Sequence, residues 1–205
     1  MVGIDYKIIK SGSSGNCVII NDVMVDIGVS YKEIEKELYN IKYLLLTHRH
    51  ADHINKTSLE SLKKYFPRIT IIGNYEVHQL HRVHKISANN IPIKYKDYTF
   101  TPFDCEHDVV CQGYVWKYQG LDILYATDTS SMKHAPKLKY DYFFLESNHD
   151  EKKLEQVRSE RAGAYSPYLS AKRHLSTQEA KKFYYLNRKS RDSEWIELHK
   201  SNRFY

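Results

Sequence analysis

Apolar and polar positions along the chain fall into short blocks, and the blocks predict strands and helices by turns. Tyr43–Leu46 (YLLL) is an unbroken apolar run that reads as a buried strand. Beyond it Leu59, Leu62 and Phe66 recur at near-helical spacing, so a helix is predicted from just past Asp52 until Pro67 stops it. Upstream, residues 4–10 form a first strand, 11–16 a tight loop of small residues, Cys17–Ile20 a second strand and 23–28 a third. Residues 30–39 read as an amphipathic helix with Ser30 as its cap and Ile34 and Leu38 turned inward. A strand at 69–72 follows, and Asn74 caps a helix carrying His78, His81 and His84. Residues 91–93 and 98–103 alternate as strands do, and 113–118 and Leu121–Ala126 form a hairpin around Gln119-Gly120. The last third predicts a buried strand at 141–146, a helix at 152–158 and an irregular loop over SERAGAYSPYLS. A helix at 177–187 and a closing strand, Glu194–Leu198, complete it. Strands interleaved with helices make this an α/β chain.

Composition changes that picture little. At 205 residues the chain is long enough for one domain, 1–205, with a sizeable core. No apolar run reaches 18 residues and MVGIDYKIIK lacks the layout of a signal peptide, so no membrane partner is expected. Cys17, Cys105 and Cys111 are few, odd in number and without CxxC spacing, which fits a reducing cytosol better than a disulfide scaffold. The net charge of +6 points toward an acidic partner, and the 18 tyrosines supply rings able to stack on bases.

The chemistry is concentrated after the strand at Tyr43–Leu46, in Thr47-His48-Arg49-His50-Ala51-Asp52-His53. The stretch sits at the carboxyl end of a strand, where α/β folds place their sites. His48 and His50 alternate in an extended conformation and can grip one ion; Asp52 and His53, adjacent at the helix start, can grip a second. Imidazole and carboxylate together suit zinc, manganese or iron. The histidines at 78, 81 and 84 share a helical spacing without an accompanying carboxylate or cysteine, and read as polar helix positions.

HxHxDH in this context resembles the signature loop of the metallo-β-lactamase superfamily. Three further stretches, SGSSGN at 11–16, ESNHD at 146–150 and HLS at 174–176, resemble the YycJ/WalJ-like nuclease branch, with HLS also similar to the histidine motif of ribonuclease Z. The resemblance implies a four-layer αβ/βα sandwich and two divalent metal ions, Zn²⁺ or Mn²⁺. It assigns His48, His50, His107 and Asp128 to one ion and Asp52, His53, Asp128 and His199 to the other. His174 is able to stand in for His199, because, of the Ser and Asn that follow the family's closing histidine, here Ser201 and Asn202, the Ser is displaced by one position. Asp26 would orient the metal loop without binding metal. His174 would otherwise protonate the leaving oxygen. Asp52 joins it in the catalytic set, and Ser13, Ser14, Asn16, His149 and Ser176 are candidate substrate contacts.

Two ions about 3.5–4 Å apart would make hydroxide available from a bridging water near neutral pH. A phosphodiester suits such a site better than a lactam, because its negative charge is already in place. The basic balance from Asp150 to Tyr205, 13 Lys/Arg against 8 Asp/Glu, agrees. Lys152, Lys153, Arg158, Arg161, Lys172 and Arg173, with Tyr165 and Tyr168 among them, could track a nucleic-acid backbone and stack bases. The expected protein is therefore a cytoplasmic phosphodiesterase, bacterial or virus-encoded in a bacterial host, acting as a nuclease on DNA or RNA. The alternative substrate is a cyclic nucleotide, with a homodimer completing so compact a chain.

Overall fold

The computed structural model describes residues 3–156, 167–201 and 205. The chain's contacts gather into two compact units, Met1–Ala88 and Asn89–Tyr205. Each unit is organised on a six-stranded mixed sheet with helices.

In the first unit β1 (Tyr6–Lys10), β2 (Cys17–Ile20) and β3 (Val23–Val25) form an antiparallel meander. β4 (Tyr43–Leu46), β5 (Thr70–Gly73) and β6 (Lys85–Ile86) extend it in parallel, in the order β1-β2-β3-β4-β5-β6. Parallel neighbours need crossovers, and the chain supplies α1 (Tyr31–Ile34), α2 (Lys56–Tyr65) and α3 (Tyr75–His81) for them. Every residue of β2, β3 and β4 is buried, the state that unbroken apolar runs anticipate. One core cluster joins Met24, Leu44 and Leu46 of the sheet to Ile34, Leu38, Leu59 and Leu62 of the helices.

Local details depart from the sequence pattern. The helix expected over 30–39 is one turn, α1, followed by a 3₁₀ turn at Glu37–Asn40. A helix so short has little stability of its own, and packing of Ile34, Leu38 and Ile41 into the core decides its path. The helix expected just past Asp52 begins instead at Lys56, because Asn55 caps it by accepting from Ser58 N at 3.1 Å. Asp52 and His53 therefore lie in the preceding turn, where His53 N and Ile54 N both bond to His50 O. α3 carries His78 and His81 but not His84. Arg82 ends it in the left-handed region (φ 53°), and His84 Nδ1 accepts from Ile71 N at 2.9 Å.

In the second unit β7 (Ile93–Lys94), β8 (Thr99–Cys105), β9 (Cys111–Tyr118) and β10 (Leu121–Ala126) run antiparallel. β11 (Tyr142–Glu146) and β12 (Glu194–Leu198) add in parallel, in the order β12-β11-β10-β9-β8-β7. The helices are α4 (Glu151–Gln156), α5 (Pro167–Ala171) and α6 (Thr177–Asn187). α5 replaces the end of the expected irregular loop, and the rest of that loop lies outside the described residues. α6 packs on β11: Phe143 meets Phe183 and Tyr184 edge-on at 6.1 and 5.2 Å. The three cysteines are free and buried. No helix among the described residues is long and apolar enough to cross a membrane.

Candidate active site

The first unit gathers its chemistry in the turn after β4. Asp26, fully buried just past β3, is the hub. Its carboxylate accepts from Thr47 N at 2.8 Å, from Thr47 Oγ1 at 2.9–3.0 Å and from His53 Nδ1 at 2.7 Å. Thr47 Oγ1 also lies 3.0 Å from His48 Nδ1. With Nδ1 engaged by Thr47 or Asp26 in both His48 and His53, Nε2 is the nitrogen through which each ring would meet an ion. His48 Nε2 and His50 Nδ1 are 3.0 Å apart, and the His48 and His53 rings are 4.0 Å apart. Two ligands about 2.0–2.1 Å from one tetrahedral ion would sit at a comparable spacing. Asp52 Oδ2 is 3.7 Å from His53 Nε2.

This turn is braced by backbone. Asn16 N donates to Asp52 O at 2.7 Å and Gly28 N to Asn16 O at 2.8 Å. A Cβ on Gly28 would stand 1.7 Å from Asp52 O, so only glycine admits that approach. The 11–16 loop thus supports the histidine turn. Asn16 is buried within it, its Oδ1 accepting from Gly12 N at 2.8 Å and its Nδ2 lying 2.9 Å from His53 Nε2. Ser13 and Ser14 are exposed at its tip.

The second unit assembles its cluster from four separate segments. His107 stands on the turn between β8 and β9, Asp128 follows β10, His174 precedes α6 and His199 follows β12. His174, His199 and the residue that follows Asp128 are joined by Glu146, the last residue of β11, whose place at the end of an apolar strand does not by itself show this role. Fully buried, it accepts from His174 Nδ1 at 2.7 Å and His199 Nδ1 at 2.9 Å through one oxygen. The other oxygen takes Thr129 N at 2.9 Å and Leu175 N at 3.3 Å. The one available signal was a carboxylate closing an otherwise apolar strand. Asp128 Oδ1 lies 3.6 Å from both His174 Nδ1 and His199 Nε2. Asp128, Glu146, His174 and His199 each offer a ligand atom within 4.8 Å of the others. The Glu106 and Thr129 turns are tied together by Glu106 N donating to Thr129 Oγ1 at 3.1 Å. The His107 and His174 rings are 6.0 Å apart.

Three of these residues, Asp26 (φ 60°), Asp128 (φ 55°) and His199 (φ 52°), adopt left-handed backbone immediately after or near a strand end. Each such position costs about 1–3 kcal/mol and persists where surrounding contacts impose it. Charge follows the same plan. Burial pushes up the Asp26 carboxyl and His53 offsets only part of that, so it sits above the usual carboxylate value. Burial pushes Glu146 up too, but the His174 and His199 imidazoles outweigh it and hold the group below that value. Burial lowers His199, yet Asp128 and Glu146 more than compensate and raise it.

The donor set in both units, imidazole nitrogen with carboxylate oxygen, fits a divalent transition-metal ion. Of the other residues singled out, His149 and Ser176 are buried beside His174, where their backbones form an isolated parallel bridge. Lys172 stands over the Tyr168 ring at 5.5 Å, Arg173 reaches Asp108 at 3.5 Å, and Lys153 donates to the Tyr205 carbonyl at 2.6 Å. Arg158, Arg161, Tyr165 and Asn202 lie outside the described residues.

No protein-family model matches the chain. It is 34% identical over 102 residues to hydroxyacylglutathione hydrolase of Buchnera aphidicola, a match spanning 48% of this chain and 38% of that protein. The exodeoxyribonuclease WalJ of Streptococcus pneumoniae is 28% identical over 209 residues, 87% of this chain and 74% of WalJ. Among solved structures, the metallo-β-lactamase fold protein YhfI from Bacillus subtilis aligns with a TM-score of 0.70 at 15% identity, over 97% of this chain and 87% of that one. The short form of human tRNase Z aligns with a TM-score of 0.67 at 15% identity, over 97% of this chain and 93% of that one. The sequence relatives are hydrolases, and the likeness to WalJ runs through most of the chain. The α/β architecture with two mixed sheets is that of the metallo-β-lactamase fold, and the chain is a metallo-β-lactamase-fold protein.

Proposed function

We propose that the protein is a metal-dependent phosphodiesterase and that, using residues 1–205 as one working domain, it hydrolyses DNA or RNA as a nuclease. The observation that carries this reading is the pairing of His174 with Glu146. An imidazole whose Nδ1 donates to a buried carboxylate 2.7 Å away is fixed in orientation, and the carboxylate favours its protonated form. Such a ring can hold a proton at Nε2 and deliver it to an oxygen leaving from phosphorus. The likeness to WalJ and to tRNase Z supports the same substrate class.

Two divalent ions, Zn²⁺ or Mn²⁺, would supply an activated water and neutralise phosphate oxygens. The residues carried over from the family as their ligands are His48, His50, Asp52, His53, His107, Asp128 and His199. Asp26 and Glu146 contribute by holding the rings. Each fixes an Nδ1, so that Nε2 of His53 and of His199 is the nitrogen presented. His174 is left for proton delivery.

The test offers the purified protein, supplied with Mn²⁺ or Zn²⁺, labelled single-stranded DNA, RNA and a panel of cyclic nucleotides. Laddering or mononucleotide release is expected, and Asp52→Ala or His50→Ala should abolish it. Undiminished cleavage in either variant would refute the assignment. Opening of a cyclic nucleotide with polymers untouched would replace the nuclease reading by the small-molecule one.

A further inference from the structure

The second unit contains a cavity of about 430 Å³ whose wall includes His174. Its other sides come from α4, through Lys152 and Glu155, from Lys172 after α5, and from Glu179 in the first turn of α6. His149 is also part of the wall. It is 3% exposed, and its Nδ1 has no hydrogen-bond partner among the described residues. A buried ring nitrogen without a partner works against stability, so a group that supplied one on binding would be favoured here. Lys152 and Lys172 form no ion pair among the described residues, although Glu155 and Glu179 share the cavity with them.

The lining discriminates between ligands. Burial holds His149 below the ordinary imidazole value, so near neutral pH the ring offers one N–H and one lone pair. A neutral imidazole can meet a base or a sugar hydroxyl with a single hydrogen bond, and it lacks the positive charge that would favour a phosphate. Glu155 and Glu179 would repel a phosphate seated between them, yet can accept from amino groups or sugar hydroxyls. The Lys152 and Lys172 ammonium groups suit a phosphate held at the edge. A volume of about 430 Å³ falls within the range of small-molecule sites and accommodates one nucleotide.

We propose that this cavity is a nucleoside subsite for the unit whose oxygen departs, with His149 reading the base edge and Lys152 and Lys172 meeting the next phosphate. The assignment rests on the phosphodiesterase reading in one respect, the role of His174 at the leaving oxygen. It extends that reading by locating substrate on a specific wall of the protein.

Calorimetry on the metal-loaded full chain tests it, with nucleoside 3′- and 5′-monophosphates, the parent nucleosides and inorganic phosphate as probes. At least one monophosphate should bind more tightly than inorganic phosphate, and His149→Ala should weaken it about tenfold while sparing phosphate. The exposed double change Lys152→Glu with Lys172→Glu should weaken the monophosphate more than the nucleoside, and it keeps the test valid should His149→Ala not fold. Addition of the nucleoside should also move the ring ¹⁵N signals of His149. Monophosphate and inorganic phosphate binding equally, or neither set of substitutions changing affinity, would overturn the subsite. Binding needs no turnover, so the two readings fail separately. Polymer cleavage without nucleoside binding removes the subsite alone. Nucleoside binding through His149 without phosphodiester cleavage removes the reaction alone.

Discussion

The two units each build a histidine cluster around one fully buried carboxylate, and they do it by opposite means. In the first, His48, His50, Asp52 and His53 lie within six consecutive residues, and Asp26 receives one imidazole and the Thr47 amide and hydroxyl. The turn's shape is held by backbone, through Asn16 and the glycine at 28 pressed against Asp52. In the second, the clustered residues come from four segments, and Glu146 receives two imidazoles and two backbone amides. Side-chain bonding there does the work that contiguous sequence does in the first unit. A local motif can lean on its own backbone, whereas a dispersed one needs a buried hub to bring its parts into register.

The largest expected effect therefore belongs to Glu146→Ala. It leaves two rings and two amides without their acceptor, and breaking a buried pair of this kind costs about 3–5 kcal/mol. Urea midpoints should fall further for this variant than for Asp26→Ala, and hydrolysis should be lost with them. Equal losses in the two variants would contradict the difference drawn between the hubs.

This difference also explains what was legible in the sequence. HxHxDH could be read because its chemistry and its spacing are adjacent in the chain, and the strand before it is an unbroken apolar run. The α/β class and most strands followed from the same patterning, as in Leu121–Ala126 and Glu194–Leu198. Glu146 was hidden because a strand-end carboxylate gains its meaning only from partners 28 and 53 residues away. The start of α2 was misplaced because Asn55, not Asp52, supplies the cap. The 30–39 helix was overextended because its turns are set by packing and not by periodicity. The role of Asn16 needed the backbone contact with Asp52, which no spacing in the sequence foretells.

A next step separates proton delivery from metal holding. His174→Ala should cut turnover by roughly 10²–10⁴-fold while metal content, measured by elemental analysis, stays unchanged. Loss of metal would instead make His174 a ligand and leave the proton to another group. In the first unit Asp26→Asn keeps the volume and can keep the Thr47 amide bond, but disturbs the bonds that His53 and the Thr47 hydroxyl make to Oδ2. Metal affinity should weaken about 10–100-fold, with less effect on turnover once the site is saturated.

The smallest effect is the most specific to the comparison, because the two hubs are shifted in opposite directions. In the metal-free protein Glu146 sits below its ordinary value, so its stabilisation is present above the unfolded-state pKa near 4.3 and is lost as pH falls through the folded one. Asp26 sits above its ordinary value. Its contribution is complete below the unfolded-state pKa near 3.9 and is lost as pH rises through the folded one. Urea midpoints of Glu146→Gln and Asp26→Asn, each measured against wild type from acid to neutral pH, should therefore diverge. The deficit of Glu146→Gln should shrink toward acid, and that of Asp26→Asn should shrink toward neutral pH. Curves sloping the same way would mean that the two carboxylates carry the same charge balance, and that the second imidazole at Glu146 does not outweigh the cost of its burial.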